Sequence, residues 1–282
     1  MIALAENTYG KSSVRVMKVQ RDGPLHTVKE WKVEVLLSGD FESCFTMGDN
    51  SKILPTDTMK NTVYSRARES TAECIEDFAL ELCAFFLGRN PQVERVVINI
   101  ASTLWEHALV QGKPHPSTFI RGSSEAQTTT VTCAQAGEAT VTSGLENLVL
   151  LKTANSGFEG YLRDSLTTLP ETADRLFGTA MRAQWKYKSA VQPFDQLRSK
   201  LRDTLIDAFA HHDSKSVQHT LYAMGQAALE AVPEIIDLEL AMPNKHCLLV
   251  DLSRFGQTNP NQIFVPTDEP YGNITARIVR ES

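Results

Sequence analysis

The sequence lacks an excess of basic residues and a long apolar run. Its 282 residues include 28 Lys and Arg against 34 Asp and Glu, a formal net charge of −6, with no block of like charge. Because proteins that bind nucleic acid usually carry a basic face, this balance argues against that class. No apolar run approaches the length of about 20 residues that a membrane-spanning helix needs. We therefore expect neither nucleic acid nor a membrane as a partner.

Cysteine is also scarce, and no CxxC pair occurs. The five cysteines are Cys44, Cys74, Cys83, Cys133 and Cys247. This odd number without close pairs predicts a reducing compartment, with Cys74 and Cys83 as small core residues of a helix. The N-terminus has neither a basic leader nor a long apolar core, and the C-terminal Arg-Glu-Ser is not a peroxisomal address of the Ser-Lys-Leu type. The expected location is the cytoplasm.

Familiar cofactor-binding motifs are missing as well. The sequence contains no GxGxxG or GxxxxGK[ST] loop, no HExxH zinc motif and no GxSxG nucleophile turn. One group of possible metal ligands consists of His211, His212, Asp213 and His219. Adjacent histidines point in different directions on a helix, so we interpret this group as a solvated helix end. We expect no metal ion and no organic cofactor.

The residues that are present form one pattern used twice. In the first half, apolar periodicity predicts strands at 14–20, 28–36, 93–109 and 118–133 and one helix at about 71–87. Ser70 and Glu73 are expected to form a capping box for this helix and Gly88 to end it. In the second half, the predicted elements are strands at 139–153 and about 173–187, helices at about 194–211 and from near Ser214 or Ser216 to before Pro233, and strands at 234–240 and 247–253.

This doubled order predicts an α+β fold of two tandem ββααββ units, with antiparallel sheets and helices on one sheet face. The boundary falls in a short segment near 135–140, which gives domains of 1–136 and 137–282. The other sheet face must also be covered, and a closed oligomeric barrel would cover it.

Polar side chains crowd residues 55–64, PTDTMKNTVY. Hydroxyl, carboxylate, amine and amide groups follow each other there: Thr56, Asp57, Thr58, Lys60, Asn61 and Thr62. Pro55 favours extended backbone before it, so a helix is expected to begin here with Thr56 or Thr58 as its cap. An ordinary helix start explains this segment taken alone. Its combination with further polar segments points to a functional site.

Two of those segments suit a flat, polar ligand. Phe158 and Arg175 supply a stacking plane and a planar fork of donors. Residues 216–218, Ser-Val-Gln, fall in the first turn of a predicted helix, where free N–H groups favour an anion and the Gln218 amide can donate and accept. A core phenylalanine, a surface arginine and a simple helix cap remain the alternatives.

Three further segments carry candidate residues or a turn. Lys11 precedes the first strand within Tyr-Gly-Lys, and Asn244 and His246 lie at a turn between two strands. Taken singly, each has a structural explanation, because lysine is commonly solvated and turn asparagine is commonly structural. We interpret residues 112–119, GKPHPSTF, as a rigid structural turn.

Together these segments resemble the urate oxidase (uricase) family over nearly the whole chain. The resemblance rests on YGK at 9–11, TDTMKNTVY at 56–64, GKPHP at 112–116, GFEGYLRDSLTTLPETADR at 157–175, SVQ at 216–218, PNKH at 243–246 and FVPTDEPYG at 264–272. It implies the tunnelling fold (T-fold), assembled as a barrel-forming homotetramer. It also implies oxidation of urate by O2 to 5-hydroxyisourate and hydrogen peroxide without a cofactor.

The resemblance further assigns roles to the candidate residues. Phe158 would stack on the purine, while Arg175, Gln218 and the backbone of Val217 would grip its polar edge. Lys11, Thr56 and His246 match the proton relay of the family. Thr56 and Asn244 would hold oxygen, and Asp57 would contact the substrate or fix the site across a subunit boundary.

Two other functions remain open at this stage. A metal-dependent T-fold hydrolase of a purine or pterin would need a convincing set of ligands. A catalytically inactive purine-binding scaffold would bind urate without consuming O2.

Overall fold

The computed structural model describes residues 2–281 and shows an α+β chain with antiparallel strand pairing. Its strands are β1 (Tyr9–Gln20), β2 (Thr27–Gly39), β3 (Val93–Thr103), β4 (Glu106–Val110), β5 (Lys113–Ile120), β6 (Ala126–Ala134), β7 (Thr140–Lys152), β8 (Phe177–Tyr187), β9 (Ile235–Ala241), β10 (Asn244–Lys245), β11 (Cys247–Leu249), β12 (Phe264–Pro266) and β13 (Thr275–Val279). Its α-helices are α1 (Glu42–Met47), α2 (Thr56–Glu69), α3 (Ile75–Arg89), α4 (Phe194–His211) and α5 (Val217–Ala231).

The chain divides into two compact units. The first comprises Met1–Gly144 and Lys186–Asp195, and the second comprises Leu145–Trp185 and Gln196–Ser282. No helix among residues 2–281 is both long and apolar enough to cross a membrane.

In the first unit, the main sheet has the order β1–β2–β3–β6 with antiparallel neighbours. Alternate residues of β2 point into the core, where Val33, Val35 and Leu37 are fully buried. Helix α2 packs against β1, and α3 packs against β3 and β6. The strands predicted at 14–20 and 28–36 are confirmed in β1 and β2.

In the second unit, β7, β8, β9 and β13 follow one another in the sheet, and β10 pairs with β8. Helix α5 packs against β9 and β13. Helix α4, which belongs to this unit from Gln196 onward, has the predicted bounds and buries its predicted apolar stripe, Phe194, Leu197, Leu201, Leu205 and Phe209. This stripe spacing is typical of a helix with one face in a core.

The predicted helix starts in the first unit are wrong in detail. Helix α2 is preceded by Pro55 and has no side-chain cap, so neither Thr56 nor Thr58 caps it. Helix α3 is capped by Cys74, whose sulfur accepts from the Asp77 N–H at 3.5 Å. Ser70 instead ends α2, and its hydroxyl accepts from the Ala72 N–H at 3.0 Å. The capping-box prediction is wrong because α3 begins only at Ile75, so Glu73 lies before the helix instead of in its first turn.

The predicted strand lengths also need correction. The segments 93–109 and 118–133 each contain a break, and Gly88 lies within α3 instead of ending it. The turn expected over 112–119 is confined to Gln111 and Gly112, which have φ angles of 53° and 77°. Two residues with left-handed backbone are enough to reverse the chain in a β-hairpin. The residues that follow the turn, 113–120, are therefore free to form β5. The strand predicted at 247–253 is shorter, at Cys247–Leu249.

Candidate functional site

The candidate residues fall into two sets, one in each unit. The first unit holds Lys11, Thr56 and Asp57. The second unit holds Phe158, Arg175, Val217, Gln218, Asn244 and His246.

In the first unit, Tyr9 ties the start of β1 to the segment that leads into α2. Its hydroxyl accepts a hydrogen bond from the Leu54 N–H at 2.9 Å, and its ring lies edge-on to Phe41 with centroids 4.8 Å apart. Burial raises the pKa of Tyr9, so the phenol stays protonated. Lys11 follows Tyr9 by two residues and Thr56 follows Leu54 by two residues. The contact therefore holds the segments of Lys11 and Thr56 side by side.

A β-bulge follows Lys11 directly. The register of β1 against β2 shifts between Lys11 and Val14, and Ser13 has a φ of 59°. Bulges are common next to active sites because they redirect side chains without ending the strand. The bulge separates the part of β1 that carries Lys11 from the regular part that continues into the core.

Asp57 is an exposed carboxylate at the start of α2 with cationic neighbours. The Lys60 ammonium donates to its Oδ1, and the Asn61 amide donates to its Oδ2 at 3.0 Å. The hydrogen bond from Lys60 is the largest cause that lowers the pKa of Asp57, and the charge of Lys11 lowers it further. Asp57 is therefore ionised at neutral pH, and Lys11 lies within its electrostatic reach.

In the second unit, a short extended segment connects two parts of the candidate site. The Phe158 N–H donates to the Thr172 carbonyl at 2.7 Å, and the Arg175 N–H donates to the Ser156 carbonyl at 2.7 Å. On the other side, the Gly157 N–H donates to the Ser214 carbonyl at 2.8 Å. Phe158 and Arg175 are thereby fixed beside the residues that lead into α5.

Phe158 and Arg175 are in direct contact. The guanidinium carbon of Arg175 lies 5.1 Å from the ring centroid of Phe158, within the range of a cation–π contact. Both side chains are half-buried. Burial lowers the pKa of Arg175 from its ordinary value, yet an arginine stays charged in proteins. The ring of Tyr161 stacks on Phe158 with centroids 4.8 Å apart and an interplanar angle of 13°.

The first turn of α5 carries Val217 and Gln218. Ser216 caps this helix, since its hydroxyl accepts from the His219 N–H at 3.1 Å, so of the two predicted starts, Ser214 and Ser216, the second is confirmed. Val217 is buried and Gln218 is exposed. The first turn contains no acidic residue, whereas α2, α3 and α4 each have one or two. The positive end of the α5 dipole is therefore not neutralised by its own sequence.

Asn244 and His246 lie on and just after β10. Asn244 pairs with Thr179 of β8, four residues beyond Arg175, and its N–H donates to the Gly272 carbonyl at 2.8 Å. The His246 carbonyl accepts from the N–H and the hydroxyl of Thr267 at 2.9 and 3.1 Å. Both side chains are half-buried. Backbone pairing on both sides thus fixes the positions of these two residues.

The group of possible metal ligands at the end of α4 agrees with its prediction as a solvated helix end at His211, Asp213 and His219, which are exposed, and departs from it at His212. His212 is half-buried, its Nδ1 lies 3.1 Å from the Thr220 hydroxyl, and its ring meets that of His219 edge-on at 4.3 Å. Burial and the nearby charge of His219 lower the pKa of His212. Among residues 2–281, no group of three or more His, Cys, Asp or Glu residues has an arrangement that could hold a metal ion.

Several residues that shape the site were not identified from the sequence. Tyr9 acts through its hydroxyl, Tyr161 through its ring, and Ser214 through its backbone. Tyr9 and Tyr161 lie inside the motifs quoted above. Their closeness in sequence to Lys11 and Phe158 was therefore the signal by which they could have been identified. Ser214 was named only as a possible helix start, and its backbone contacts with Asn155 and Gly157 could not be predicted because every residue type carries the same main-chain groups.

The comparisons with known proteins agree on one family. The sequence model of the family described as Uricase matches residues 7–132 and 141–275. The uricase of Arthrobacter globiformis is 39% identical over 280 residues, which cover 99% of this chain and 91% of that protein. The uricase of Oryctolagus cuniculus is 37% identical over 279 residues, which cover 97% of this chain and 93% of that protein.

Solved structures give the same result. The crystal structure of uricase from Arthrobacter globiformis superposes with a TM-score of 0.94 at 39% identity, covering 100% of this chain and 96% of that one. A uricase structure from Bacillus fastidious has a TM-score of 0.84 at 23% identity and covers 97% of this chain and 93% of that one, which supports the fold. From the sequence match and these relatives together, the chain belongs to the uricase family.

Proposed function

We propose that this chain is a urate oxidase, which converts urate, O2 and water to 5-hydroxyisourate and hydrogen peroxide. The observation that carries the proposal is the construction of the second unit. There an aromatic ring, a guanidinium and a helix N-terminus without acidic residues are fixed to one another by backbone hydrogen bonds. Such a set suits a flat anion with several hydrogen-bonding groups.

The proposed binding roles follow from the chemistry of each group. Phe158 stacks on the purine plane, and the charged fork of Arg175 donates to one polar edge. At the first turn of α5, the Val217 N–H donates and the Gln218 amide both donates and accepts. The lack of an acidic residue in that turn leaves its dipole free to attract the urate anion.

The proposed catalytic residues move protons and hold oxygen. Lys11, Thr56 and His246 form the relay, in which the Thr56 hydroxyl needs a neighbour to take or pass its proton. Thr56 and Asn244 hold O2, and later water, above the purine ring. The contact of Tyr9 with Leu54 supports this role, because it keeps the segments of Lys11 and Thr56 together. Asp57, ionised beside Lys11, contacts the substrate or fixes the boundary of the site.

The proposed enzyme has the T-fold, with tandem units of 1–136 and 137–282, and works in the cytoplasm as a barrel-forming homotetramer. Each site combines Lys11, Thr56 and Asp57 of one chain with the remaining residues of a neighbour. The exposed loop between Phe158 and Arg175 supports a covering partner, since Leu162 and Leu166 are 96% and 85% exposed in the single chain.

The proposed reaction needs no metal ion or organic cofactor. Deprotonated urate is itself an electron donor to O2. The protein supplies proton removal, orientation of the two substrates and a confined pocket.

The test is to mix the purified protein with urate in air-saturated buffer that contains a strong chelator. We expect urate loss, O2 uptake and peroxide release in equal amounts. Urate binding without O2 uptake would favour an inactive purine-binding scaffold. Activity that returns only with added metal would favour a metal-dependent hydrolase of purines or pterins.

A further inference from the structure

Lys152 is a buried lysine that the proposed reaction does not use. It is the last residue of β7 and only 9% exposed. Its ammonium donates to the Phe209 carbonyl at 3.3 Å and to the His212 carbonyl. Both acceptors lie at the C-terminus of α4, where unsatisfied carbonyls and the negative end of the helix dipole favour a cation.

The residues that Lys152 holds lead directly into the candidate site. The chain runs from His212 through Ser214 to Ser216, the cap of α5. Ser214 is 1% exposed and bonded on both sides, since its N–H donates to the Asn155 carbonyl at 3.0 Å and its carbonyl accepts from Gly157. Its hydroxyl also donates to the Ser216 carbonyl at 3.1 Å.

From Ser214 the contacts divide toward two substrate-binding groups. Gly157 precedes Phe158, whose ring lies against the guanidinium of Arg175. Ser216 precedes Val217 and Gln218 in the first turn of α5. A shift of the segment 212–214 would therefore move the stacking ring and the helix N-terminus relative to each other.

We infer that Lys152 is a positioning residue for substrate binding: by holding the end of α4 it fixes the spacing between Phe158 and the first turn of α5. The inference rests on the proposed function, in which these two groups bind opposite parts of urate. Because Lys152 is buried, this role requires no contact between its side chain and the substrate. Its loss should weaken urate binding, because a ring and a donor set that are no longer held at a fixed distance fit a rigid ligand less well.

The test compares Lys152→Met, Lys152→Arg and Lys29→Met. Methionine keeps an unbranched chain but removes the donors, whereas arginine keeps charge and donors. Lys29 is the matched control, because its ammonium also donates to two backbone carbonyls, those of Ala72 and Glu73 at 3.0 and 2.8 Å, but in the first unit. The readouts are KM for urate, the dissociation constant for urate with O2 excluded, and Tm.

We expect Lys152→Met to raise KM and the anaerobic dissociation constant about tenfold, the factor that corresponds to about 1.4 kcal/mol. Lys152→Arg should restore most of the affinity. Lys29→Met should lower Tm without changing KM, since KM does not depend on the fraction of enzyme that is folded.

A Lys152→Met enzyme with a lower Tm and an unchanged KM would overturn the inference and leave Lys152 with a structural role only. If that variant is insoluble, Lys152→Gln, whose shorter amide cannot reach as far, is measured by the same criterion. A parent protein that does not oxidise urate would instead reject the proposed function, so the two failures are distinguishable.

Discussion

Thr56 is the candidate residue whose surroundings are most informative. It is the first residue of α2 and half-buried, and the residue before it is a proline. Because no side chain caps α2, the Thr56 hydroxyl is not used to begin the helix. A threonine at a helix start usually has that capping role. Because Thr56 does not have this capping role, its hydroxyl is available for the proposed proton relay.

We predict that Thr56→Ala folds normally, retains much of its urate affinity and loses turnover by about 100-fold or more, a typical value for a group that moves protons. The measurement is kcat for O2 uptake, with urate affinity measured under argon. Thr58→Ala, which changes an exposed threonine of the same helix, is the control. Turnover of Thr56→Ala at the parent rate would remove Thr56 from the relay.

Gly10 offers a second test at the residue scale, in this case of stability. A Cβ at Gly10 would lie 1.9 Å from the Val35 carbonyl oxygen, which is backbone and cannot swing away. We predict that Gly10→Ala lowers the free energy of unfolding by about 1–3 kcal/mol, as overpacking does. It should also disturb activity, because Lys11 is the next residue.

Gly88 provides the contrast, since it is helical in α3 and a Cβ there would meet nothing within 4 Å. Gly88→Ala should stabilise the protein by about 0.4–1 kcal/mol, because alanine lowers the conformational entropy of the unfolded chain. Thermal and denaturant unfolding of both variants would check the pair. Equal effects of the two changes would contradict the proposed close approach of β1 and β2.

At the scale of elements, the helices of the second unit were predicted well and several strand ends were not. The stripe from Phe194 to Phe209 is long and regular, so periodicity alone gave the bounds of α4. By contrast, residues 93–109 read as one strand because apolar residues continue past the break at 104–105. Strand β13, at Thr275–Val279, is short and was not predicted.

The site shows the same division. Residues of α5 could be assigned to a helix N-terminus from the sequence, because Ser216 is a typical cap. The contact between Phe158 and Arg175 could not be predicted from the sequence. The two residues are separated by 16 positions (175 − 158 − 1), and the intervening loop has no periodic pattern. Their roles came from the family resemblance. Lys152 had no signal at all, because burial of a charged residue depends on tertiary partners.

The end of α4 also predicts how stability depends on pH. The pKa of His212 is lowered from 6.5, chiefly by burial, then by His219, Lys152 and Lys215, with Asp213 acting in the opposite direction. The unfolded chain therefore binds a proton at higher pH than the folded chain does. Stability contributed by this neutral histidine is present above pH 6.5 and is lost as pH falls below that value.

We predict that His212→Asn, which keeps a polar atom near the Thr220 hydroxyl, weakens the fall in Tm between about pH 7.5 and pH 5.5. His211→Asn is the control, since His211 is exposed on the same helix end. Melting curves of the three proteins across this range give the comparison. A fall in Tm as steep in His212→Asn as in the parent would show that another group causes the acid sensitivity.

At the scale of the whole molecule, the proposed sites require two chains. The candidate residues of the first unit and of the second unit are each well positioned within their own unit. In a homotetramer with shared sites, a defect in one set can be compensated by a chain that is defective in the other. The proposal can therefore be tested by mixing two inactive proteins.

We predict that Lys11→Met and Arg175→Ala are each almost inactive but recover activity when co-expressed with different tags and purified through both. An intact site needs one chain of each kind in the correct place. With random assembly an intact site forms with a probability of one half times one half, and purification through both tags removes the one-eighth of tetramers that contain a single variant, so activity should return to about 30% of the parent value.

The control is co-expression of Lys11→Met with Thr56→Ala. Both residues are proposed to come from the same chain of each site, so no intact site can form and activity should stay absent. Recovery in this control, or no recovery in the first mixture, would contradict the proposed sharing.

The acid-free first turn of α5 also bears on attempts to engineer heat resistance. His219 lies three residues after the Ser216 cap, so His219→Glu would complete a capping box and add a favourable charge at the helix end. A screen that measures the fraction of protein still folded after heating would select this substitution. In the proposed binding mode, however, the new carboxylate would repel the urate anion that this helix end is proposed to attract. Selection for thermostability should therefore be run with urate turnover as a second criterion, or it will favour proteins that survive heating and no longer bind substrate.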